Sequence, residues 1–407
     1  MRVALGLAVL ALLGHAALWV GTINRLHAVA AARWAVDLLS WGCRLFLVGL
    51  PIAAAGYWLL SGRPIDAWLR DAFDDRALWF YLAPCCVVAI VTIWLWIERR
   101  IDAWRLKGIE KNHTNIVDVA AKLSGLPVVG LRARLLAHVP GNQLFQLSVS
   151  EKQLRLPHLP AELDGLSIAQ LSDLHVTGRI GIDFFHAVID QVEALRADLI
   201  AVTGDFMDEM ECLDWLGETL GRLTAPLGVY FVLGNHDQFT GRAAIVRKEL
   251  VDAGLTDLGG RWQRVDAAGT EVILAGNELP WFHLTTEMEH LPPRLDGHSQ
   301  LRLLLAHSPD QLSWARRRGF DLVLAGHTHG GQICFPLIGP IHCPSWHGVK
   351  YASGVFYERP TVMHVSRGVS SEVPIRLNCR PDVTKLVLRS KGSGFGAQGS
   401  EPAQPRV

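Results

Sequence analysis

Leu199-Ile-Ala-Val-Thr-Gly-Asp-Phe-Met-Asp208 sets a short strand-like run directly before a glycine and two carboxylates. The same arrangement, an apolar run with a metal-competent side chain at its end, recurs on both sides of this stretch. Upstream, Leu166 to Ser172 leads into Asp173-Leu-His175; downstream, Val229 to Leu233 leads into Gly234-Asn235-His236-Asp237. Leu301 to Ala306 then leads into His307, and Leu322 to Ala325 into Gly326-His327-Thr-His329-Gly330-Gly331. Taken singly, an Asp-x-His or a Gly-Asp after a strand reads as a turn or cap, and His-x-His as two residues on one strand face. Five in sequence order read as one site, because strands of a layered α/β fold end on a common rim where distant loops converge. From about Leu147 to Leu388, short β-rich runs alternate with helical patterns, which predicts an α/β or layered αββα domain. Ile182 to Arg196 carries apolar residues at Ile182, Phe185, Val188, Val192 and Leu195, the spacing of a helix packed by one face on a sheet.

The order Asp-x-His, Gly-Asp-x-x-Asp, Gly-Asn-His-Asp, His, Gly-His-x-His resembles that of the calcineurin-like metallophosphoesterase superfamily. It looks most like the bacterial membrane-associated branch, with Ser172-Asp-Leu-His175, Leu233-Gly-Asn-His-Asp237 and Gly326-His-Thr-His-Gly-Gly-Gln332. The resemblance covers roughly residues 160 to 390 and implies a four-layer αββα sandwich. It also implies that a first metal is bound by Asp173, His175, Asp205 and His329, and a second by Asp205, Asn235, His307 and His327. Asp205 would bridge the two ions, and His236 would lie beside the substrate phosphate.

The residue types suit that chemistry in their own right. Carboxylate, imidazole and amide oxygen, with no thiolate, form a ligand set for two divalent ions such as Mn, Fe or Zn rather than for a structural zinc. A shared carboxylate places two cations ~3.5–4 Å apart, which generates an attacking hydroxide and clamps a phosphoryl group without a covalent nucleophile. His236 is then the candidate acid for the leaving oxygen, with Asp237 either orienting its imidazole or forming a plain salt bridge. Asp208 is expected to support a ligand or brace its loop rather than to ligate. Glycines 326, 330 and 331 are expected to permit tight turns. Arg179 and Arg367 stay outside the site, as surface or core-bracing residues.

Composition separates the rest of the chain. The 407 residues carry 39 basic and 39 acidic side chains, so no net charge favours nucleic acid. Half of the residues are hydrophobic and 19% charged, against ~25% in soluble domains, and no lysine precedes Lys107. Val3 to Val20, Trp34 to Leu60 and Leu78 to Ile97 are apolar runs near the ~30 Å needed to span a bilayer. A cleaved signal peptide is the rival reading of the first, although the run exceeds the ~7–15 residues of a signal core. Arg44, inside the second run, must snorkel, pair or face other helices. Arg25, Arg33, Arg99, Arg100, Arg105 and Lys107 fall on one side of a three-span topology, which puts the C-terminal part in the cytoplasm. The seven cysteines show no C-x-x-C spacing and read as free thiols in reducing surroundings.

The expected organisation is a transmembrane region of about three helices over 1–100, a juxtamembrane connector over 101–150, the catalytic domain over 151–390 and a disordered tail over 391–407. The expected function is a phosphoesterase anchored in the inner membrane by several passes. It would cleave a phosphoester or pyrophosphate bond, of a lipid-linked or amphipathic substrate. A phosphodiesterase acting on soluble nucleotides is the alternative enzyme, and a non-catalytic membrane scaffold the alternative class. A transporter lacks the repeated halves such folds need.

Overall fold

A computed structural model of the chain describes residues 2–104, 109–123, 125–294 and 300–390. The tail expected over 391–407 lies outside the described residues. The chain divides into two compact units, residues 1–106 and 107–407.

The first unit consists of helices α1 (Arg2–Leu26), α2 (Arg33–Ser61), α3 (Ile65–Asp74) and α4 (Arg76–Trp104). Residues 2–26, 33–61 and 76–101 are long and apolar enough to cross a membrane, and they contain the three apolar runs read from the sequence. Leu38, Leu45, Leu60 and Phe80 turn outward from this unit. Inside it, α1 and α4 meet backbone to backbone: a Cβ on Gly14 would lie 1.6 Å from the carbonyl oxygen of Cys85, so no other residue fits there. The guanidinium of Arg44 lies over the Trp41 ring at 5.3 Å.

Among its described residues, the second unit holds fifteen strands. They are β1 (Ile109–Asp118), β2 (Gln146–Arg155), β3 (Ser167–Leu171), β4 (Leu199–Thr203), β5 (Val229–Val232), β6 (Thr256–Asp257), β7 (Trp262–Ala267) and β8 (Thr270–Asn277). They continue as β9 (Gln300–Ala306), β10 (Leu322–Ala325), β11 (Cys334–Phe335), β12 (Gly339–Pro340), β13 (Gly354–Glu358), β14 (Thr361–Val365) and β15 (Asp382–Arg389). One sheet runs β1-β2-β15-β3-β4-β5-β6 and the other β13-β14-β10-β9-β8-β7, with β11 and β12 forming a separate hairpin. Strands β3 to β6 are mutually parallel, and so are β8, β9, β10 and β14.

The sheets stack with helices outside, which gives the expected four layers. Alternate residues of one strand face opposite cores. Leu199 and Ala201 of β4 join Leu303 of β9 and Leu322 and Leu324 of β10 between the sheets. Ile200 and Val202 instead pack under the outer helices, with Phe185, Val188 and Val192 of the helix Ile182–Ala194. Val323 and Ala325 of β10 do the same on the far side, beneath Leu312 and Ala315. Strands covered on both faces carry no polar side, which is why they read as unbroken apolar runs. Strand β1 lies within the stretch expected to be a connector and pairs antiparallel with β2. Its Glu-Lys-Asn-His-Thr-Asn sequence on a largely exposed edge gives no apolar run to recognise.

One buried side chain ties the sheets together beneath the rim. The Gln170 amide on β3 donates to Thr203 Oγ1 (3.1 Å) in its own sheet and to the Ala325 carbonyl (2.9 Å) in the other. Its oxygen accepts from His364 Nδ1 at 2.6 Å, and His364 Nε2 in turn accepts from Lys152 at 2.8 Å. Replacing Gln170 by leucine leaves the Ala325 carbonyl and His364 Nδ1 without this partner. At ~1–3 kcal/mol for a buried group so stranded, Gln170→Leu is expected to lower the melting temperature of the detergent-solubilised protein; an unchanged melting curve would show that the tie contributes nothing.

Candidate metal centre

The rim is assembled from five strand ends. Asp173 and His175 follow β3, Asp205 and Asp208 follow β4, and Asn235, His236 and Asp237 open the short helix after β5. His307 follows β9, and His327 and His329 follow β10. The first sheet thus supplies the carboxylates and the second most of the imidazoles. Asp173, His175, Asp205, His327 and His329 all have φ between 46° and 71°. This left-handed region is uncommon for residues with a Cβ, and strain of this kind concentrates at functional sites.

Glycine enters the motifs here through close approach. A Cβ on Gly234 would meet Asp205 Oδ1 at 2.1 Å, and one on Gly326 would meet Ser172 Oγ at 1.9 Å. The expected turn role therefore holds for Gly330 and Gly331, whose φ angles are 64° and 84°, but not for Gly326, whose role is to let β10 end against Asp173.

Among the described residues, His175, Asp208 and His236 form one close group of possible ligands, and two further groups share one carboxylate. In the first of these two, Asp173, His175, Asp205 and His329 present ligand atoms all within 4.8 Å of one another, and in the second so do Asp205, His307 and His327. Asp205 Oδ2 lies 3.5 Å from His175 Nε2 and 3.1 Å from His307 Nε2. Around His307 Nε2, Asn235 Oδ1 and His327 Nδ1 also stand at 3.1 Å. One imidazole nitrogen cannot share a single hydrogen among three such atoms, whereas lone pairs converging from several sides are the arrangement of a cation's ligands. The other ring nitrogens support this: His307 Nδ1 donates to the Thr203 carbonyl at 2.8 Å, and His175 Nδ1 to Asp208 Oδ2 at 3.0 Å, which leaves each Nε2 free to ligate. Buried oxygen and imidazole donors without a thiolate fit Mn, Fe or Zn.

Asp237 departs from its expected role, whereas Asp208 supports a candidate ligand as expected and contacts His236 besides. Asp237 accepts backbone N–H groups from Asp205 (3.1 Å), Phe206 (2.9 Å), Met207 (3.2 Å) and Gly234 (2.8 Å), so it braces the β4 loop and does not orient the His236 ring. Orientation comes from Asp208, whose Oδ1 meets His236 Nδ1 while its Oδ2 holds His175. The backbone N–H of His236 donates to Asp205 Oδ1 at 2.8 Å.

Sequence reasoning missed Arg376. It is fully buried and donates to the carbonyls of Arg367 (2.7 Å) and Ser370, the latter of which also accepts from His329 Nδ1 at 3.2 Å. An arginine inside Val373-Pro-Ile-Arg-Leu377 was the available signal. Arg367 pairs with Asp382 at 3.2 Å, as a core-bracing residue does.

Charge at the site follows from this crowding. Burial opposes charging His307, but Asp205 outweighs it and pushes the ring up to about 9. Burial likewise opposes charging His236, and Asp205 and Asp208 together push it up to about 9. Burial and then the charge of Asp205 push Asp237 up to about 7, while Asp205 itself is held well below the usual range by His307 and His236 despite its burial.

Residues 166–331 match the family model for calcineurin-like phosphoesterases. The chain is similar to an uncharacterised metallophosphoesterase of Bacillus subtilis, YkuE, at 28% identity over 256 residues, 60% of this chain and 86% of that protein. It is 31% identical over 224 residues to the phosphodiesterase YaeI of Escherichia coli, covering 54% of this chain and 80% of YaeI. A transmembrane protein with a metallophosphoesterase domain from Bos taurus aligns at 26% identity over 415 residues, 96% of this chain and 89% of its own length.

A divalent ion bound at His307 Nε2 would take the place of the proton that Asp205 holds there. Below about pH 9 that proton must leave when metal binds, so acid strengthens the competitor. Calorimetric titration with Mn²⁺ in buffers of different ionisation enthalpy is expected to show proton release near neutral pH. Affinity should weaken by about tenfold for each unit of acidification per proton displaced. Binding with no proton release would contradict ligation through His307.

Proposed function

We propose, from the premise that this chain belongs to the calcineurin-like phosphoesterase family and is a metal-dependent phosphohydrolase, that it cleaves a phosphoester or pyrophosphate bond at a two-metal centre. Asp173, His175, Asp205 and His329 would hold one ion, and Asp205, Asn235, His307 and His327 the other. The observation that carries the reading is the Asp205 carboxylate, set between His175 and His307 and common to both donor groups. Two cations sharing a carboxylate lower the pKa of a water between them and neutralise charge on a phosphoryl group.

The chain's own residues supply the rest. With Nδ1 engaged by Asp208, a protonated His236 can offer Nε2–H to the phosphoryl group and then to the leaving oxygen. Asp208 fixes the orientation of that ring, and Asp237 holds the loop that presents Asp205.

The same reading places residues 1–100 in the inner membrane as a multi-pass anchor and the catalytic domain, about 151–390, in the cytoplasm. Three helices long and apolar enough to cross a bilayer support the anchor, as does the near full-length similarity to a bovine protein described as transmembrane. The excess of Arg and Lys beside the first loop and after the third span supports the cytoplasmic side. A bilayer-held site favours a lipid-linked or amphipathic phosphate substrate. A soluble nucleotide diester remains the second reading, supported by similarity to a protein described as a phosphodiesterase.

Metal analysis of the full-length protein is expected to give two ions per chain. His236→Ala should lower kcat by ~10²–10⁴-fold with the metal content unchanged, and Asp205→Ala should lose metal and activity together. An Asp205→Ala protein that retains both would overturn the two-metal reading.

A further inference from the structure

We propose that an apolar collar beside the metal rim, built from residues 126–136, 333–341 and 372–374, binds the aliphatic part of an amphipathic phosphoester substrate. The inference rests on the phosphoesterase reading above and adds the recognition element to it.

The collar stands out because the second unit hides its apolar side chains well elsewhere. Leu131 is 75% exposed, Leu337 74%, Leu135 65% and Val129 58%. Among the described residues of this unit outside the collar, large hydrophobic side chains are exposed at Ile116, Ile245, Val251 and Trp346, dispersed along the chain. Scattered exposure of that kind needs no explanation, whereas a concentration on neighbouring segments marks a contact surface or ligand groove.

The segments are joined to one another and to the catalytic loop. Val129 N–H donates to the Arg179 carbonyl at 2.8 Å, and Arg179 Nη1 donates to the Glu372 carbonyl at 2.9 Å. Asn142 ties Leu136 to Pro374 through carbonyl contacts of 2.9 and 3.0 Å. Gln332, which directly follows the His329-Gly-Gly loop, donates to the Val373 carbonyl at 2.9 Å. Between 126–136 and 372–374 lies an open cavity of ≈ 240 Å³ lined by Val129, Leu131, Leu136, Val373 and Pro374, with two basic side chains, Arg132 and Arg179, and one acidic, Glu372, in its wall.

An apolar trough with guanidinium groups in its wall, one loop away from His329, matches a molecule that carries a phosphate at one end and a hydrocarbon at the other. The arginines complement the anionic end and the trough takes the chain. A soluble nucleotide would leave those apolar side chains facing water. The chain's own N-terminal helices supply the setting, since an enzyme held at a bilayer meets amphipathic phosphates.

The test uses the full-length, metal-loaded protein in phospholipid nanodiscs and a series of alkyl aryl phosphodiesters from methyl to hexyl. Each methylene buried in the trough should raise kcat/KM, by up to about fourfold, until the cavity is filled. Val129→Ser and Val373→Ser should each lower the hexyl-to-methyl ratio of kcat/KM, and Ile245→Ser, outside the collar, should leave it unchanged. Hydrolysis of every ester at one rate, or a ratio that neither collar variant moves, would overturn the collar while leaving the phosphoesterase reading intact. Failure to hydrolyse any ester of the series would overturn both.

Discussion

The carboxylate of Asp205 is the constraint around which the catalytic unit is arranged. It is almost fully buried, and His175 and His307 reach its Oδ2 from opposite sheets, while the backbone of His236 holds its Oδ1. A charge so enclosed is costly unless it is paired. The fold answers with histidines from strands β3, β9 and β10, with φ angles in the left-handed region, and with glycines that keep the neighbouring backbone close. Asp237 contributes indirectly by collecting four backbone N–H groups of the loops on either side. Because donors come from both sheets, the centre depends on how the sheets are held relative to each other at the rim. The Gln170 bond to the Ala325 carbonyl, directly before Gly326 and His327, fixes that relation.

Asp208 adds a coupling that a roster of ligands would miss. Its two oxygens contact His175, a member of the first donor group, and His236, the proposed acid. The two rings meet nearly at right angles with centroids 4.5 Å apart. Positive charge accumulating on one ring is therefore felt by the other, both through the shared carboxylate and directly. The orientation of the proposed acid and that of a candidate ligand are one structural variable, so in that reading this aspartate belongs to the chemistry without ligating.

The strands and their terminal donors were legible in the sequence because each is a short run buried on both faces and stopped by residues that do not belong in a core. Leu199 to Asp208 shows both halves of that signal in ten positions. The α1, α2 and α4 helices were legible for the complementary reason, being apolar without interruption. What stayed hidden depends on partners distant in sequence. Asp237 follows His236 directly, yet the helix that begins there turns it back toward the β4 loop, while Asp208, 28 positions earlier, reaches the ring. Gln170 looks like an interruption of an apolar strand until Ala325 and His364 are seen beside it. Strand β1 is polar because it forms a sheet edge, where pairing with β2 alone suffices.

The N-terminal unit follows the same logic. Pro51 within α2 has no N–H, so the Leu47 carbonyl one turn earlier loses its helical donor. His15 of α1 supplies the replacement, with Nε2 at 3.1 Å from that oxygen, and its Nδ1 accepts from the Tyr81 hydroxyl of α4 at 2.6 Å. Tyr81 in turn accepts from Trp19 Nε1 at 3.0 Å. Every polar group in this chain of contacts has a partner, as buried polar groups generally do. Three helices that packed independently would have no use for this histidine. A carbonyl on one helix answered by a ring on a second and a hydroxyl on a third specifies a single packing of the helices, and the contact of Gly14 with the Cys85 backbone enforces it.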